Sequence, residues 1–102
     1  MENERDEILQ SLRQLKESMP GVGSLGLFGS FARNEAGPFS DIDVAIKLQG
    51  DYLEKNDAWD YFELFATIQN SLGKKFEKKV DVFDLDSASR ISEKIKREIL
   101  YV

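Results

Sequence analysis

The 102-residue sequence contains no cysteine and no histidine. Without cysteine, disulfides, thiolate nucleophiles and zinc–sulfur centres are excluded. Without histidine, the commonest general base and the commonest transition-metal ligand are absent. Oxygen atoms must therefore hold any metal ion, which favours Mg²⁺ or Mn²⁺. The chain also lacks a long apolar run and a signal-peptide pattern, so we expect a cytoplasmic protein with no membrane partner.

Positive charge is in the minority, with 14 Lys and Arg against 19 Asp and Glu and a net charge of −5. Because basic patches bind phosphate backbones, nucleic acid is not expected as a partner. The one basic cluster, Lys74, Lys75, Lys78 and Lys79, is interpreted mainly as a solvated turn. The composition is typical of a globular protein, and the length indicates one domain over residues 1–102 without an elaborate substrate domain.

The most informative pattern is Gly-Ser, ten intervening residues, then Asp-x-Asp. Gly29-Ser30 follows a predicted strand at residues 24–28 and opens a short predicted helix at residues 30–34. Such a turn directs backbone N–H groups and the positive end of a helix dipole at one point, which suits a phosphate. Gly29 permits close backbone approach, and the Ser30 hydroxyl can cap the helix or donate to phosphate. Arg33 either neutralises phosphate charge or is an ordinary exposed arginine.

Asp41 and Asp43 begin a second predicted strand at residues 41–48. Alternation places both carboxylates on one side, roughly 6.6 Å apart at Cα, while Ile42, Val44 and Ile46 face the other side. The two carboxylates can converge on one or two hard cations. A Gly-Ser turn alone is usually only a turn, and Asp-x-Asp often starts a strand without a function. The combination of the two predicts a site for a nucleotide and its divalent ions.

A third predicted strand, at residues 80–85, supplies a further acid. Asp86 is better explained as a helix cap. Asp81 and Asp84 lie on opposite strand faces, so only one of them can join the first two acids. An acid flanked by valines in a central strand needs a partner, which favours Asp81, but the residues alone leave both open.

The remaining periodicity predicts an α/β domain with four helices and three strands. One helix spans residues 3–19 and another runs from a cap at Asp57 to residue 72, where Gly73 is expected to end it. Trp59 and Phe62 widen the apolar face of that helix and are interpreted as core or interface. Residues 49–56 are predicted to be a polar loop. A last helix from residue 87 is predicted to bury Ala88, Ile91, Ile95, Ile99 and Val102.

Residues 29–33 (Gly-Ser-Phe-Ala-Arg) and 40–44 (Ser-Asp-Ile-Asp-Val) resemble the active-site signature of the DNA polymerase beta-like nucleotidyltransferase superfamily. The short length and the Val-Asp-Val-Phe-Asp-Leu run at residues 80–85 are most similar to the minimal nucleotidyltransferase family. The resemblance implies the nucleotidyltransferase fold, a small mixed sheet of three or slightly more strands with about four helices. It also places the third aspartate at Asp81. The family often has glycine where this chain has Asn34, a residue that tolerates left-handed backbone.

The resemblance further implies an activity and a partner. ATP would bind through Gly29, Ser30 and Arg33, and two Mg²⁺ ions, or Mn²⁺, would bind Asp41, Asp43 and Asp81 as catalytic acids. Members of this family are often encoded beside a HEPN-domain ribonuclease toxin. The expected reaction is AMP transfer to a tyrosine of that toxin, which makes the chain an antitoxin and part of a hetero-oligomer. Two alternatives stay open: a non-catalytic antitoxin that acts by binding, and a small-molecule nucleotidyltransferase similar to the aminoglycoside-modifying enzymes.

Overall fold

A computed structural model describes residues 3–86 and 93–102. Within them lie five helices and four strands, in agreement with the predicted class of fold. In chain order the elements are α1 (Glu4–Ser18), β1 (Val22–Phe28), α2 (Gly29–Ala32), β2 (Ile42–Leu48), α3 (Tyr52–Lys55), α4 (Ala58–Phe76), β3 (Val80–Asp84), α5 (Glu93–Glu98) and β4 (Leu100–Tyr101). None of the described helices is long and apolar enough to cross a membrane.

The four strands form one mixed sheet in the order β3-β2-β1-β4. β1 is antiparallel to β2 and to β4, whereas β2 and β3 are parallel. Leu25 pairs with Ile46 and Leu27 with Val44, so their side chains lie on the same face of the sheet. All four are fully buried and belong to the main core cluster. The alternation predicted for β2 is therefore confirmed, and it assigns one face of the sheet to the core.

Helices α1 and α4 cover that core face. Ile8 and Leu12 of α1 and Ile68 and Leu72 of α4 are almost completely buried in the same cluster. Asn3 caps α1 by accepting a hydrogen bond from the backbone N–H of Asp6. The bounds predicted for α1 are confirmed to within a residue at each end. Asp57 is the N-cap of α4, as predicted, and it forms a capping box with Asp60.

The end of α4 differs from the prediction. The helix continues through Gly73 to Phe76, and Glu77 ends it with a left-handed φ of 54°. A Cβ on Gly73 would lie 3.3 Å from the carbonyl oxygen of Lys78, so this glycine makes room for the returning chain. The predicted stop at Gly73 was wrong because a glycine within a helix costs only about 1 kcal/mol relative to alanine.

Two other segments also differ. Residues 49–56 contain the short helix α3, and its Tyr52 is buried in the main core, so this segment is not simply a polar loop. The predicted last helix ends at Glu98, and Leu100 and Tyr101 form β4 on the open edge of β1. The backbone N–H of Val102 continues this pairing with a 2.9 Å hydrogen bond to Leu25. Ala88 and Ile91 of the predicted stripe lie outside the described residues.

The second face of the sheet is covered more thinly. Phe28, Ala45 and Ile99 form a small buried cluster there, joined by Leu85 and Ile95. Gly26 lets Ile99 approach, because a Cβ on Gly26 would lie 2.5 Å from Ile99 Cγ2. Asp43 belongs to this thinly covered face, since it pairs with Phe28 across β1 and β2. The fold thus places the predicted site residues opposite the main core.

Candidate active site

The turn between β1 and α2 is built around Gly29. Its φ of +77° lies in the left-handed region, which glycine adopts readily. A Cβ added to Gly29 would collide with Oδ2 of Asp43 and approach its Cγ to 3.1 Å. Glycine is therefore required twice, for its backbone conformation and for the space taken by the carboxylate. The predicted phosphate turn and one predicted metal ligand are in direct contact.

The rest of the turn follows from its backbone hydrogen bonds. Phe28 occupies the N-cap position of α2 without a side-chain hydrogen bond, so the Ser30 hydroxyl is not the cap of this helix. The backbone N–H of Glu35 donates to the Ser30 carbonyl oxygen at 2.8 Å and closes the loop after α2. Asn34 adopts a φ of 60°, which confirms that this position needs the left-handed backbone.

The predicted acids lie on two adjacent parallel strands. Asp81, the third predicted acid, is the direct neighbour of Asp43, because the two residues are partners in the register of β2 and β3. Asp41 precedes the first residue of β2 and is exposed, whereas Asp43 and Asp81 are half-buried. Asp84 is held on the core face, where its Oδ2 accepts a 2.9 Å hydrogen bond from the Tyr61 hydroxyl of α4. The structure therefore brings Asp81, and not Asp84, beside Asp43.

The position of β3 differs from the sequence-based expectation. The acid at position 81 was expected in a central strand, but β3 lies at the edge of the sheet formed by the described residues. The side chain of Asp81 retains 35% of its solvent exposure. Burial between valines is therefore not the reason why Asp81 needs a partner. The reason is the negative charge of Asp43, its neighbour on β2.

The electrostatics of the site are centred on Asp43. Burial raises the pKa of the Asp43 carboxyl above its usual value, and the negative charges of Asp81 and then Asp41 raise it further. Arg33 and Lys79 act in the opposite direction on this pKa. A carboxylate held against two others is stabilised by a bound cation. The donor set consists of oxygen atoms alone, which fits Mg²⁺ or Mn²⁺.

The acids are not arranged as a complete set of ligands. Among residues 3–86 and 93–102, no three acidic side chains are gathered into a group that could hold a metal ion as they stand. Asp43 and Asp81 are neighbours in register, and Asp41 influences Asp43 through its charge. The residues fit a divalent ion in chemistry and in strand placement.

Arg33 joins the turn to α5. Its Nη1 lies 2.7 Å from an oxygen of Glu98, and its Nε lies 3.1 Å from Glu35. These hydrogen bonds raise the pKa of Arg33 above its usual range, and the one to Glu35 has the larger effect. Arg33 is thus neither a free phosphate ligand nor an unpaired surface residue. Glu98, which the sequence analysis did not single out, orients it.

Lys79 lies beside the acids. It belongs to the exposed turn between α4 and β3, as expected, and its Nζ lies 3.7 Å from Oδ1 of Asp81. The signal was present in the sequence, since residues 79 and 81 share one side of an extended chain. Both side chains keep substantial solvent exposure, so this ion pair contributes little to stability. Its importance is that it places a cation beside the acids.

Two aromatic rings lie beside the acids. Phe28 pairs in register with Asp43, and Phe83 lies two residues beyond Asp81 on the same face of β3. Their ring centroids are 5.3 Å apart in an edge-to-face arrangement. Phe28 is buried while Phe83 stays partly exposed. Together they give the acids an apolar neighbour, which is consistent with the burial effect on Asp43.

Sequence comparison finds named relatives of this chain. A Methanocaldococcus jannaschii protein, provisionally named protein adenylyltransferase MJ0126, is 34% identical over 92 residues, which cover 88% of this chain and 85% of that protein. A second protein of the same organism with the same provisional activity, MJ0128, is 32% identical over 75 residues, covering 74% of this chain and 72% of that protein.

Solved structures share the architecture. A chain of a crystal structure described as a toxin-antitoxin with AMP-PNP aligns with a TM-score of 0.55 and 28% identity, over 85% of this chain. This chain spans only 61% of that one. A chain of a tri-AMPylated Shewanella oneidensis HEPN toxin in complex with MNT antitoxin aligns with a TM-score of 0.53, over 83% of this chain and 59% of that one. At 24% identity, this second likeness shows the fold alone.

A family-level match covers nearly the whole sequence. Residues 10–101 match the family described as Polymerase beta, Nucleotidyltransferase. That range includes the Gly29 turn, both acids of the Asp-x-Asp pair and Asp81. The resemblance inferred from the sequence is thereby confirmed, and with it the class of enzyme. The chain belongs to the polymerase beta family of nucleotidyltransferases.

Proposed function

We propose that this chain is a magnesium-dependent protein adenylyltransferase. It moves AMP from ATP to a tyrosine hydroxyl of a HEPN ribonuclease toxin and thereby acts as its antitoxin. The observation that carries the proposal is the environment of Asp43, whose carboxylate contacts the Gly29 turn and has Asp81 as its register neighbour. The name of the first relative supports a protein acceptor, and the AMP-PNP complex supports an adenine nucleotide.

Gly29 and Ser30 bind the β- and γ-phosphates of ATP in this proposal. The left-handed Gly29 exposes backbone N–H groups at the start of α2, and the Ser30 hydroxyl is not used as a cap, so it is available to a phosphate oxygen. Arg33 lies close enough to Asp43 to lower its pKa, so its positive charge also acts on an anion bound there. Its pairing with Glu98 holds the guanidinium in place.

Asp41, Asp43 and Asp81 would hold the divalent ions, two Mg²⁺ or alternatively Mn²⁺. When bound, such ions neutralise the triphosphate and polarise the phosphoryl group under attack. Without cations, the charges of Asp81 and Asp41 stay uncompensated near Asp43, whose pKa is raised first by burial and then by these two acids. Asp84 takes no part, because it accepts the Tyr61 hydrogen bond on the core face.

The chemical step needs no nucleophile from this chain. The oxygen of the acceptor hydroxyl attacks the α-phosphorus and forms the new phosphoester bond. The bond between the α-phosphorus and the bridging oxygen breaks, and pyrophosphate leaves with that electron pair. Asp81 accepts the proton of the attacking hydroxyl, a role open to a half-exposed carboxylate at the edge of the sheet. The absence of cysteine and histidine is compatible with this mechanism.

The acceptor is supplied by another protein. The provisional name of MJ0126, protein adenylyltransferase, supports a protein acceptor over a small molecule. We extend the proposal to one domain over residues 1–102 that works in the cytoplasm, where ATP is available.

The decisive experiment incubates the purified chain with Mg²⁺, ATP and a HEPN-domain toxin. With ATP labelled at the α-phosphate, we expect label on a tyrosine of the partner, located by mass spectrometry as added AMP. ATP labelled at the γ-phosphate is the matched control and should transfer nothing. Asp43→Asn should abolish the labelling, whereas Asp84→Asn should retain it. Circular dichroism of both variants checks that the fold is intact.

The other outcomes identify the alternatives. If the chain inhibits the ribonuclease without labelling it, and Asp43→Asn inhibits equally well, the chain is a non-catalytic antitoxin. If label appears instead on an added aminoglycoside, the enzyme modifies small molecules. Full protein labelling by Asp43→Asn would overturn the assignment of this acid.

A further inference from the structure

The outer face of the first turns of α4 carries two large aromatic side chains. Trp59 and Phe62 lie three residues apart, so they are neighbours on the helix surface, and they are 71% and 65% exposed. The opposite side of α4 is the one that enters the core, through Leu64, Ile68 and Leu72. Trp59 and Phe62, called the aromatic face below, are therefore not needed to fill the core.

Acidic residues are concentrated in the sequence that carries the aromatic face. The segment from residue 51 to residue 63 contains five acidic residues and one lysine. That lysine, Lys55, forms an ion pair with Asp51, with 2.8 Å between its Nζ and Oδ2 of Asp51. The acids act together, because Asp60, Asp57 and Glu63 all raise the pKa of the buried Tyr52 in addition to the larger effect of burial. A partner bound at this surface must therefore offer apolar groups to the two exposed aromatic rings and positive charge to the acidic residues.

We infer that the aromatic face docks a basic segment with apolar side chains on the acceptor protein. Aromatic residues are enriched at protein interfaces, and lysine or arginine side chains can lie over exposed aromatic rings. A symmetric dimer through this face would bring like charges together, which disfavours a second copy. The inference rests on the proposed function, in that the docked protein is the one that receives AMP.

The location of the aromatic face allows docking and catalysis together. α4 packs against β3, the edge strand that carries Asp81, but it does so from the core face of the sheet. The acids lie on the opposite face. A partner bound to α4 consequently leaves the nucleotide site uncovered, and it can reach around the β3 edge to present a hydroxyl.

The test uses Trp59 as its own reporter, since it is the only tryptophan of the chain. The probe is a synthetic amphipathic helical peptide of lysine and leucine without aromatic residues. We expect a saturable blue shift of Trp59 emission that weakens as salt increases. The same peptide with glutamate in place of lysine should cause no shift. A shift that depends on the concentration of the chain alone would show self-association and overturn the inference.

Matched variants separate the aromatic face from general electrostatic attraction. Phe62→Ser and Glu63→Lys should each weaken peptide binding about tenfold. The controls are Tyr101→Ser, which removes another exposed aromatic ring, and Glu17→Lys, which makes the same charge change on α1. Both controls should bind as the unmodified chain does. Equal losses in variants and controls would overturn the inference.

The same variants connect docking to transfer. Phe62→Ser and Glu63→Lys should raise the KM for the acceptor protein about tenfold while leaving the affinity for MgATP unchanged. If acceptor labelling proceeds with an unchanged KM, the docking surface is wrong although the proposed function stands. If no labelling occurs with any chain, but the peptide still binds at the aromatic face, the proposed function fails and the docking surface stands.

Discussion

Gly29→Ala tests the contact on which the candidate site depends. Alanine would have to hold a φ of +77°, and its Cβ would collide with the carboxylate of Asp43. Left-handed backbone costs a residue with a Cβ about 1–2 kcal/mol. Moving the carboxylate away from its preferred rotamer adds about 0.5–1.5 kcal/mol. Alanine also restricts the unfolded chain, which offsets about 0.4–1 kcal/mol.

The net expectation is a loss of about 2 kcal/mol in the free energy of unfolding. For a domain of this size, that corresponds to a fall in Tm of about 8–16 °C. Urea denaturation and thermal melts followed by circular dichroism would measure both quantities. Gly50→Ala is the matched control, because a Cβ on Gly50 meets nothing within 4 Å. The control should lose no stability and should gain up to about 1 kcal/mol, because alanine restricts the unfolded chain without a native clash.

A double-mutant cycle separates the two causes. In an Asp43→Ala background the collision with the carboxylate disappears, so Gly29→Ala should lose about 0.5–1.5 kcal/mol less than in the unmodified chain. The backbone contribution should persist. Equal stabilities of Gly29→Ala and Gly50→Ala would refute the left-handed turn. An identical effect of Gly29→Ala in both backgrounds would refute the contact with Asp43.

Three further predictions follow from the same geometry. Asp81→Asn should abolish nucleotidyl transfer while Asp84→Asn retains it, because only Asp81 is the register neighbour of Asp43; the reverse order in a labelling assay would exchange their roles. Burial and neighbouring acids raise the pKa of Asp43 above its usual 3.8. The ionised carboxylate therefore destabilises the fold at neutral pH, and this destabilisation disappears as the pH falls through the raised pKa. Asp43→Asn should therefore increase Tm at pH 7 in metal-free buffer, and this gain should shrink toward pH 4; a gain independent of pH contradicts the cause given. Arg33→Met should change the unfolding free energy little, as for an exposed ion pair, yet weaken MgATP binding measured by calorimetry. Unchanged affinity would limit Arg33 to holding α5.

Local physics explains what could be predicted from the sequence. The Gly-Ser turn, the Asp-x-Asp pair and the alternation of β2 depend on neighbours within a few residues, and they predicted the family and the sheet face that carries Asp43. The cap at Asp57 and the left-handed Asn34 are also local, and the structure confirms both. The assignment of Asp41, Asp43 and Asp81 as catalytic acids remains a prediction.

Contacts between distant segments decided the rest. Choosing between Asp81 and Asp84 needed the register of β3 against β2 and the Tyr61 hydrogen bond from α4. The ion pair between Arg33 and Glu98 likewise depends on how distant elements meet.

The errors in the elements have the same origin. Residues 99–102 were assigned to a helix because apolar residues recur there at helical spacing. They form β4 and its continuation instead, since the backbone groups at the open edge of β1 require partners, which only the assembled sheet can present. Trp59 and Phe62 were interpreted as core or interface, and the structure excludes the core, because the sheet accepts only the face of α4 with Leu64, Ile68 and Leu72. The sequence alone determined the local geometry of turns, caps and alternating faces, because these depend on adjacent residues. Only the tertiary structure decided which acid meets Asp43 and which aromatic residues face solvent, because both depend on segments far apart in the chain.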